Sequence, residues 1–482
     1  MNVEPTSGPF RESEPLRESE LKTAIDVLER IHGERGQLLQ FSHEQQTRLL
    51  QLAGQVAHPG RTARRQLQRA SRRQRQAERS EQKQRDESLL EHTGIRQLRQ
   101  SSVRHLGAPP RPDERPPRPP AGAAVHDQHF VQSLEVPRNC YICKQDFDRV
   151  HFFYDSMCPE CAEFNWSKRQ QTACLDGRVA LLTGGRVKIG FETGLKLLRA
   201  GASLVVTTRF PRDAACRFAA QEDSAQWLER LQIYGLDLRH TPSVEALAEH
   251  LEQTLPRLDF ILNNACQTVR RPPAFYEHLL AAERRLAAAL PAEVSQVLQP
   301  YQQLLDQQRL PSLPAAAQTA APETVATPQA AGETLSVAVA HSLAGIHRAA
   351  ELSQVALLPE DGRSGERFFP AGEYDRDWQQ VDLRDKNSWR LKLAEVATVE
   401  LLEVHLVNAV APFILNARLQ PLMLRHPSRD KHIVNVSAME GVFYRAFKRD
   451  THPHTTMAKA ALNMLTRTSA ADYIQHGIHM NS

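Results

Sequence analysis

No uninterrupted apolar run in the 482 residues approaches the ~20 needed for a helix to cross a bilayer. The longest stretches are of the order of Val179–Leu182 and Val410–Leu415. The opening MNVEPTSGPFRESEPLRESE is acidic and polar, where a secretory leader would be basic and then apolar. Charge of one sign is also lacking: 60 Lys plus Arg against 56 Asp plus Glu leave only +4. Aromatic residues make up 6% and cysteines number seven, too unevenly placed for a disulfide framework. These absences exclude a helical membrane span and make the cytoplasm the expected compartment. With 41% apolar residues the chain is not disordered throughout, and its length suits about two to four units with at least one large core.

The near-balance of charge conceals an uneven layout. Between Arg61 and Arg85 lie nine Arg and Lys83 against Glu78 and Glu81. This stretch reads as an exposed helix or a disordered tether. A polyanion-binding arm is the less favoured reading, because no aromatic residue interleaves with the arginines. Before it, apolar residues recur at helical spacing (Leu21, Ile25, Leu28, Ile31, then Leu49, Leu50, Leu52), and Ser42-x-x-Gln45 has the form of a capping box opening a second helix. Residues 1–106 are therefore expected to be helical and partly disordered. Residues 107–135 form a linker around PPRPDERPPRPP, an extended spacer.

Cys140-x2-Cys143-x14-Cys158-x2-Cys161 follows, in a module at 136–168. Two such turns can aim four thiolates at one tetrahedral ion, and zinc suits an all-sulfur site without redox chemistry. Four protein ligands leave no open position, so the expected zinc is structural. Phe147, Phe152, Phe153 and Tyr154 supply a very small core, and His151 is a spare ligand candidate.

From about residue 175 strands and helices alternate. Arg178–Gly190 is an apolar strand running into a glycine-bearing turn, followed by a helix and a second apolar strand, Ser203–Arg209. Such a βαβ unit places a helix N-terminus under a pyrophosphate, with glycines allowing close backbone approach. Leu236-Asp237-Leu238, Leu258–Cys266 ending in Asn-Asn-Ala, Leu406-Val-Asn408, Ile433-Val-Asn-Val-Ser437 and Met457-Ala-Lys459-Ala-Ala-Leu follow in order.

In that order these pieces resemble the short-chain dehydrogenase/reductase family. The resemblance implies a Rossmann-type doubly wound parallel sheet over 175–482, with an insertion at about 267–395. It implies that Thr183, Gly184, Arg186, Lys188, Ile189 and Gly190 lie along a nicotinamide dinucleotide, that Asp237 and Leu238 border the adenine, and that Asn264 lies beside the cofactor. Arg209 ends the second strand where an acid would bind the ribose hydroxyls of NAD(H), so NADP(H) is the expected cofactor. Lys188 stands where the family has its middle glycine; it must take on that glycine's backbone angles, and its ammonium would reach a phosphate.

The family implies hydride transfer between nicotinamide and a carbonyl or alcohol substrate, with Tyr and Lys four apart on one helical face. Asn408 and Lys459 match this pattern. Thr455 stands four before Lys459, and Ala438 aligns with the serine, Ser437 being one residue off. Tyr444-x3-Lys448 is a decoy, since Pro453 would interrupt its helix. Either the donor has migrated, to Tyr444, His452 or His454, or the domain binds the dinucleotide without turnover as an interaction or sensor protein. The insertion, with an Ala/Pro-rich loop at 311–332, would be a lid, a partner surface or a loop excursion. The zinc module is a second candidate surface for a protein partner. Gly477–Ser482 resembles the family's sixth strand, so the chain is expected to be truncated.

Overall fold

The computed structural model describes residues 17–99, 104–105, 130–288, 290–307, 344–362, 367–375, 377–444 and 448–482. The tail at 1–16, the proline-rich stretch 109–120 and the Ala/Pro-rich loop 311–332 lie outside the described residues. The chain divides into two units, Met1–Arg96 with Ala123–Pro159, and Gln97–Gly122 with Glu160–Ser482.

The first unit holds helices α1 (Glu18–Gly33), α2 (His43–Ala57) and α3 (Arg61–Glu91) and a hairpin of β1 (Phe130–Asn139) and β2 (Asp146–His151). The capping box forms: Ser42 Oγ accepts from Gln45 N at 3.3 Å and Gln45 Oε1 from Ser42 N at 3.2 Å. No residue of α1 or α2 is buried. The end of α3 docks on the hairpin, where Leu90 packs with Leu134 and Val150. Asp86 accepts the backbone N–H groups of Glu135 and Val136 at 2.9 and 3.1 Å, and Arg85 forks onto the Glu135 carboxylate. The expected linker therefore stops short of residue 135. β1 evades a periodicity reading because of its residues 133–139 only Leu134 is buried and Pro137 falls where the pairing register shifts.

The second unit is built on a six-stranded, wholly parallel sheet: β3 (Val179–Thr183), β4 (Ser203–Thr208), β5 (Leu231–Gly235), β6 (Phe260–Asn263), β7 (Lys431–Asn435) and β8 (Ile478–Asn481). Its spatial order is β8-β7-β6-β3-β4-β5. Every residue of β3 is buried, as expected of a central parallel strand covered on both faces. The chain runs outward from β3 to β5 and then returns to β6 on the other side, so the strand order reverses between β3 and β6. In such sheets a ligand crevice opens at the carboxyl ends of the strands at that reversal. This is a Rossmann-type α/β fold.

Helices α4 (Pro159–Gln170), α5 (Lys188–Arg199), α6 (Pro211–Ala219), α7 (Thr241–Thr254), α8 (Pro273–Ala288), α9 (Ala292–Gln307), α10 (Thr398–Leu424) and α11 (Pro453–Tyr473) complete the unit. Much of the insertion is core rather than excursion. Val294, Val297, Leu298, Tyr301 and Leu304 of α9, with Ile346, join the main apolar cluster. They cover β5, which would otherwise be an open sheet edge. Tyr301 sits so close that a Cβ on Gly235 would lie 2.4 Å from its hydroxyl. By length and composition α10 is apolar enough to cross a membrane, with a mean hydropathy of 1.5, which a search for uninterrupted runs does not reveal. Ala411, Leu415, Leu419, Leu422 and Met423 of α10 lie in the main core, and the helix also buries Glu400, Glu403, Asn408 and Asn416.

Candidate functional site

The turn after β3 is held from β6. Asn264 Nδ2 donates to Thr183 O and Gly184 O at 3.0 and 3.2 Å, and Ala265 N donates to Thr183 Oγ1 at 3.0 Å. Gly184 has φ +69°, and a Cβ there would meet Ala265 Cα at 2.8 Å. A Cβ on Gly190, in the first turn of α5, would lie 2.2 Å from Gly184 O. Lys188 takes φ +53°, the left-handed conformation expected where the family's glycine is missing. Its ammonium lies 3.8 Å from Asp375 Oδ2, a carboxylate of the insertion. Ile189 is exposed beside it. The paired amides at 263 and 264 thus divide their work. Asn264 ties the turn, while Asn263 donates to Asn416 Oδ1 and Asn435 Oδ1, both at 2.8 Å, in a buried network between sheet and helices.

Arg186 is turned away from solvent and pairs with Asp213 at 2.8 Å. Arg209 donates to Tyr276 Oη at 2.9 Å and lies over its ring, and among the described residues it has no acidic partner within ion-pair distance. Its neighbours Arg239, Arg270 and Arg271, with Gln267, Tyr276 and Glu403, line a cavity of about 10 Å³, room for a single water. Asp237 is fully engaged within the protein: its N–H donates to Gly345 O at 2.8 Å, and its carboxylate pairs with Arg239 at 2.7 Å. Burial alone would raise the Asp237 pKa, but the Arg239 guanidinium outweighs it and holds the carboxyl below its ordinary value. Leu238 is buried in the core. The segment Ala344–His347 of the insertion therefore stands at the end where the resemblance places adenine.

Glu403 joins these pieces. It accepts from Arg239 at 2.8 Å and from Arg270 at 3.1 Å, while Arg270 also forks onto Asp361. Nothing local in the sequence marks this network, because its partners are separated by 91 to 164 positions.

At the other end of the crevice, Lys459 is buried and its Nζ donates to Val436 O at 2.6 Å. Asn408 lies in a π-helical segment, Leu406–Val410, and its side chain accepts from Gln267 N and donates to Gln267 O at 2.8 and 2.9 Å. Ser437 Oγ and Thr455 Oγ1 are buried without a hydrogen-bond partner. Tyr444 is not brought to the site: it is 92% exposed and its ring packs on Phe443. Lys448 is spent on Glu440 O. His452 caps α11 at φ +46° and stacks on Trp389 at 4.0 Å. His454 is buried with Nε2 3.4 Å from Glu400 Oε1. Burial would raise Glu400, yet His454, Ser388 and the charge of Arg270 keep its carboxyl below the usual range. This His–Glu pair was not foreseen in the sequence, where Glu400 is one acid among many.

The four cysteines Cys140, Cys143, Cys158 and Cys161 converge, with their Sγ atoms all within 4.8 Å of one another. Cys140 and Cys143 sit at the tip of the β1–β2 hairpin, and Cys158 and Cys161 at the start of α4. Burial would raise the Cys140 thiol, but N–H donors from Cys158, Cys143 and Ile142 draw it down to about 6. Such a donor set favours thiolates and fits a tetrahedral metal. His151 is not among the converging ligand atoms, and its Nδ1 accepts from Phe153 N and Tyr154 N.

Residues 178–287 match the short chain dehydrogenase family. The match runs from β3 through most of α8 and includes the glycine turn, Arg209 and Asn264. The chain is 26% identical over 357 residues to an uncharacterized protein of Acanthamoeba polyphaga mimivirus, covering 72% of this chain and 62% of that protein. It is 33% identical over 138 residues to dehydrogenase/reductase SDR family member 13 of Bos taurus, covering 25% of this chain and 36% of that protein. The chain thus spans less than two thirds of the length of either relative. A metagenomic short-chain oxidoreductase solved in complex with NADP superposes with a TM-score of 0.35 at 16% identity, over 64% of this chain and 80% of that one. Asn408, Ala438, Thr455 and Lys459, aligned to the family's site from the sequence, all lie beyond the matched residues.

Proposed function

We propose that the second unit binds NADP(H) and acts as an oxidoreductase of the short-chain dehydrogenase type on a small carbonyl or alcohol substrate. The observation that carries this reading is the glycine turn, which leaves no room for a Cβ at Gly190 and is fastened to the next strand by Asn264. Its backbone and the first-turn N–H groups of α5 suit a pyrophosphate. Arg209 suits a 2′-phosphate. When bound, the nicotinamide would supply or accept the hydride.

The chain's own residues then divide the rest. Lys459 would orient the ribose from the end of β7, and Asn408 fixes the exit of β6 through Gln267. No phenol lies four residues before Lys459, so proton transfer falls to His454, a buried imidazole with both ring nitrogens free of hydrogen bonds and Nε2 3.4 Å from Glu400 Oε1. Ala344–His347 and the wall formed by Tyr276, Ser353 and Val355 would have to draw back for adenosine to enter. The four-cysteine cluster would hold a structural zinc. The insertion and the zinc module remain the two surfaces proposed for a protein partner.

A second reading, a dinucleotide-binding protein without turnover, is favoured by Thr455 at the phenol position and by the Lys459 bond to a main-chain carbonyl. NADPH titration followed by a carbonyl panel separates the two. Tight binding with turnover that His454→Gln abolishes supports the oxidoreductase. Tight binding with no turnover supports the second reading, and no binding overturns both.

A further inference from the structure

The long helix α3 carries a line of charge that the dehydrogenase-like domain does not use. Arg61, Arg65, Arg69, Arg72, Arg75, Arg79 and Lys83 follow one another at steps of three or four residues, the spacing that keeps side chains on one face. Arg64 and Arg73 widen the same side. Glu78 and Glu81 fall off that line. At 1.5 Å per residue the stripe is about 33 Å long, close to one turn of B-form DNA at roughly 34 Å. All seven cations are exposed, and among the described residues none has an acidic partner within ion-pair distance; the first ion pair along the helix is Arg85–Glu135.

Only the end of α3 is anchored. Leu90, Asp86 and Arg85 fasten it to the hairpin that bears Cys140 and Cys143, leaving the charged turns in solvent. A row of like charges on a rigid rod repels itself, so its neutralisation by a polyanion is favourable, and the counterions released make that binding salt-dependent.

We propose that this face of α3 binds duplex DNA through its phosphates. The composition of the helix decides among the polyanions. From Arg61 to Ser88 its apolar residues are Ala63, Leu67, Ala70 and Ala77, and Leu67 is 69% exposed, so it has no apolar face to bury in a bilayer. It has no aromatic residue on which unpaired bases could stack, as single-strand binders do. That absence argues against a single strand and not against a duplex. A-form RNA offers a deep, narrow major groove, whereas the B-form groove admits a helix.

The test uses the full chain and a fluorescent 20-base-pair DNA of mixed sequence, followed by anisotropy across salt concentrations. Five phosphate contacts imply a log–log slope of about −4.5, hence about a 500-fold loss of affinity between 50 and 200 mM salt. R65Q/R69Q/R72Q/R79Q, which keeps strong helix formers throughout, should weaken binding at 50 mM salt by at least 100-fold with unchanged helicity by circular dichroism. E78Q/E81Q should bind as tightly as the parent or tighter. The proposal is overturned by salt-independent binding, by an unaffected quadruple variant of normal helicity, or by preference for single strands, duplex RNA or phosphatidylserine vesicles.

Discussion

The Lys459 ammonium donates to the carbonyl oxygen of Val436 at 2.6 Å, from a side chain only 3% exposed. The lysine is thereby fastened to the end of β7, next to Ser437 and two positions from Ala438. In the alignment expected from the sequence, Ala438 and Thr455 stand where a serine hydroxyl and a phenol would share a substrate oxygen. Ala438→Ser combined with Thr455→Tyr restores both residue types. We expect NADPH-dependent reduction of small ketones to rise at least tenfold over the parent, with smaller gains for either change alone. A folded, NADPH-binding double variant with no gain would count against Lys459 as the family lysine.

Gly190→Ala places a methyl 2.2 Å from Gly184 O, a main-chain atom held by Asn264. The turn must open to admit it, at about 1–3 kcal/mol by analogy with overpacked interiors. NADPH affinity should fall at least tenfold, with a lowered thermal midpoint. Unchanged affinity by titration would remove this turn from the cofactor site.

Lys188 sits at φ +53°, where a side chain costs roughly 1–2 kcal/mol relative to glycine. Lys188→Gly should therefore raise stability in urea by about 1 kcal/mol. If the ammonium also meets a phosphate, the same variant should bind NADPH more weakly, so stability and affinity should move in opposite directions.

The fold was legible where local pattern and burial coincide. β3 and β4 are continuous apolar runs because both faces are covered, and the turn between β3 and α5 announces itself by glycine. Leu236-Asp237-Leu238 lies just beyond its strand, since β5 stops at Gly235. β1 was missed for want of alternation. The covering role of α9 and the pairing of His454 with Glu400 were not readable at all. Both depend on which distant segments meet, and a single sequence records no such encounters.

Glu283 bridges the insertion to α6, accepting from Asp213 N and Arg212 N at 2.8 and 3.3 Å. Burial pushes its carboxyl up to about 7, from an ordinary 4.5, against the pull of those amides. The folded state then binds the proton more tightly than the unfolded one. Stability should fall as pH rises from about 4.5 to about 7 and level off above that. Glu283→Gln keeps an acceptor for both amides and cannot ionise, so its urea midpoint should lack that component of the slope. Parallel pH profiles for the two proteins would refute the assignment.

Four converging thiols should bind one zinc per chain, measurable by atomic emission. A short cysteine-bearing segment with few buried apolar residues depends on such a staple. Removing the ion with a strong chelator, or Cys140→Ser, should lower the protein's melting temperature while leaving NADPH binding intact.

The network around Glu403 bears on any attempt to trim this protein to the length of a compact relative. Excision of 267–395 would remove Arg270 together with Asp361, and would leave Asp237 and Glu403 competing for the one guanidinium of Arg239. It would also uncover β5 along the strip now filled by Val297, Tyr301 and Leu304. The shortened chain would thus keep the same excess of one carboxylate with a single guanidinium to share it, and would expose a sticky sheet margin. The insertion is therefore a structural part of this domain, not a removable ornament.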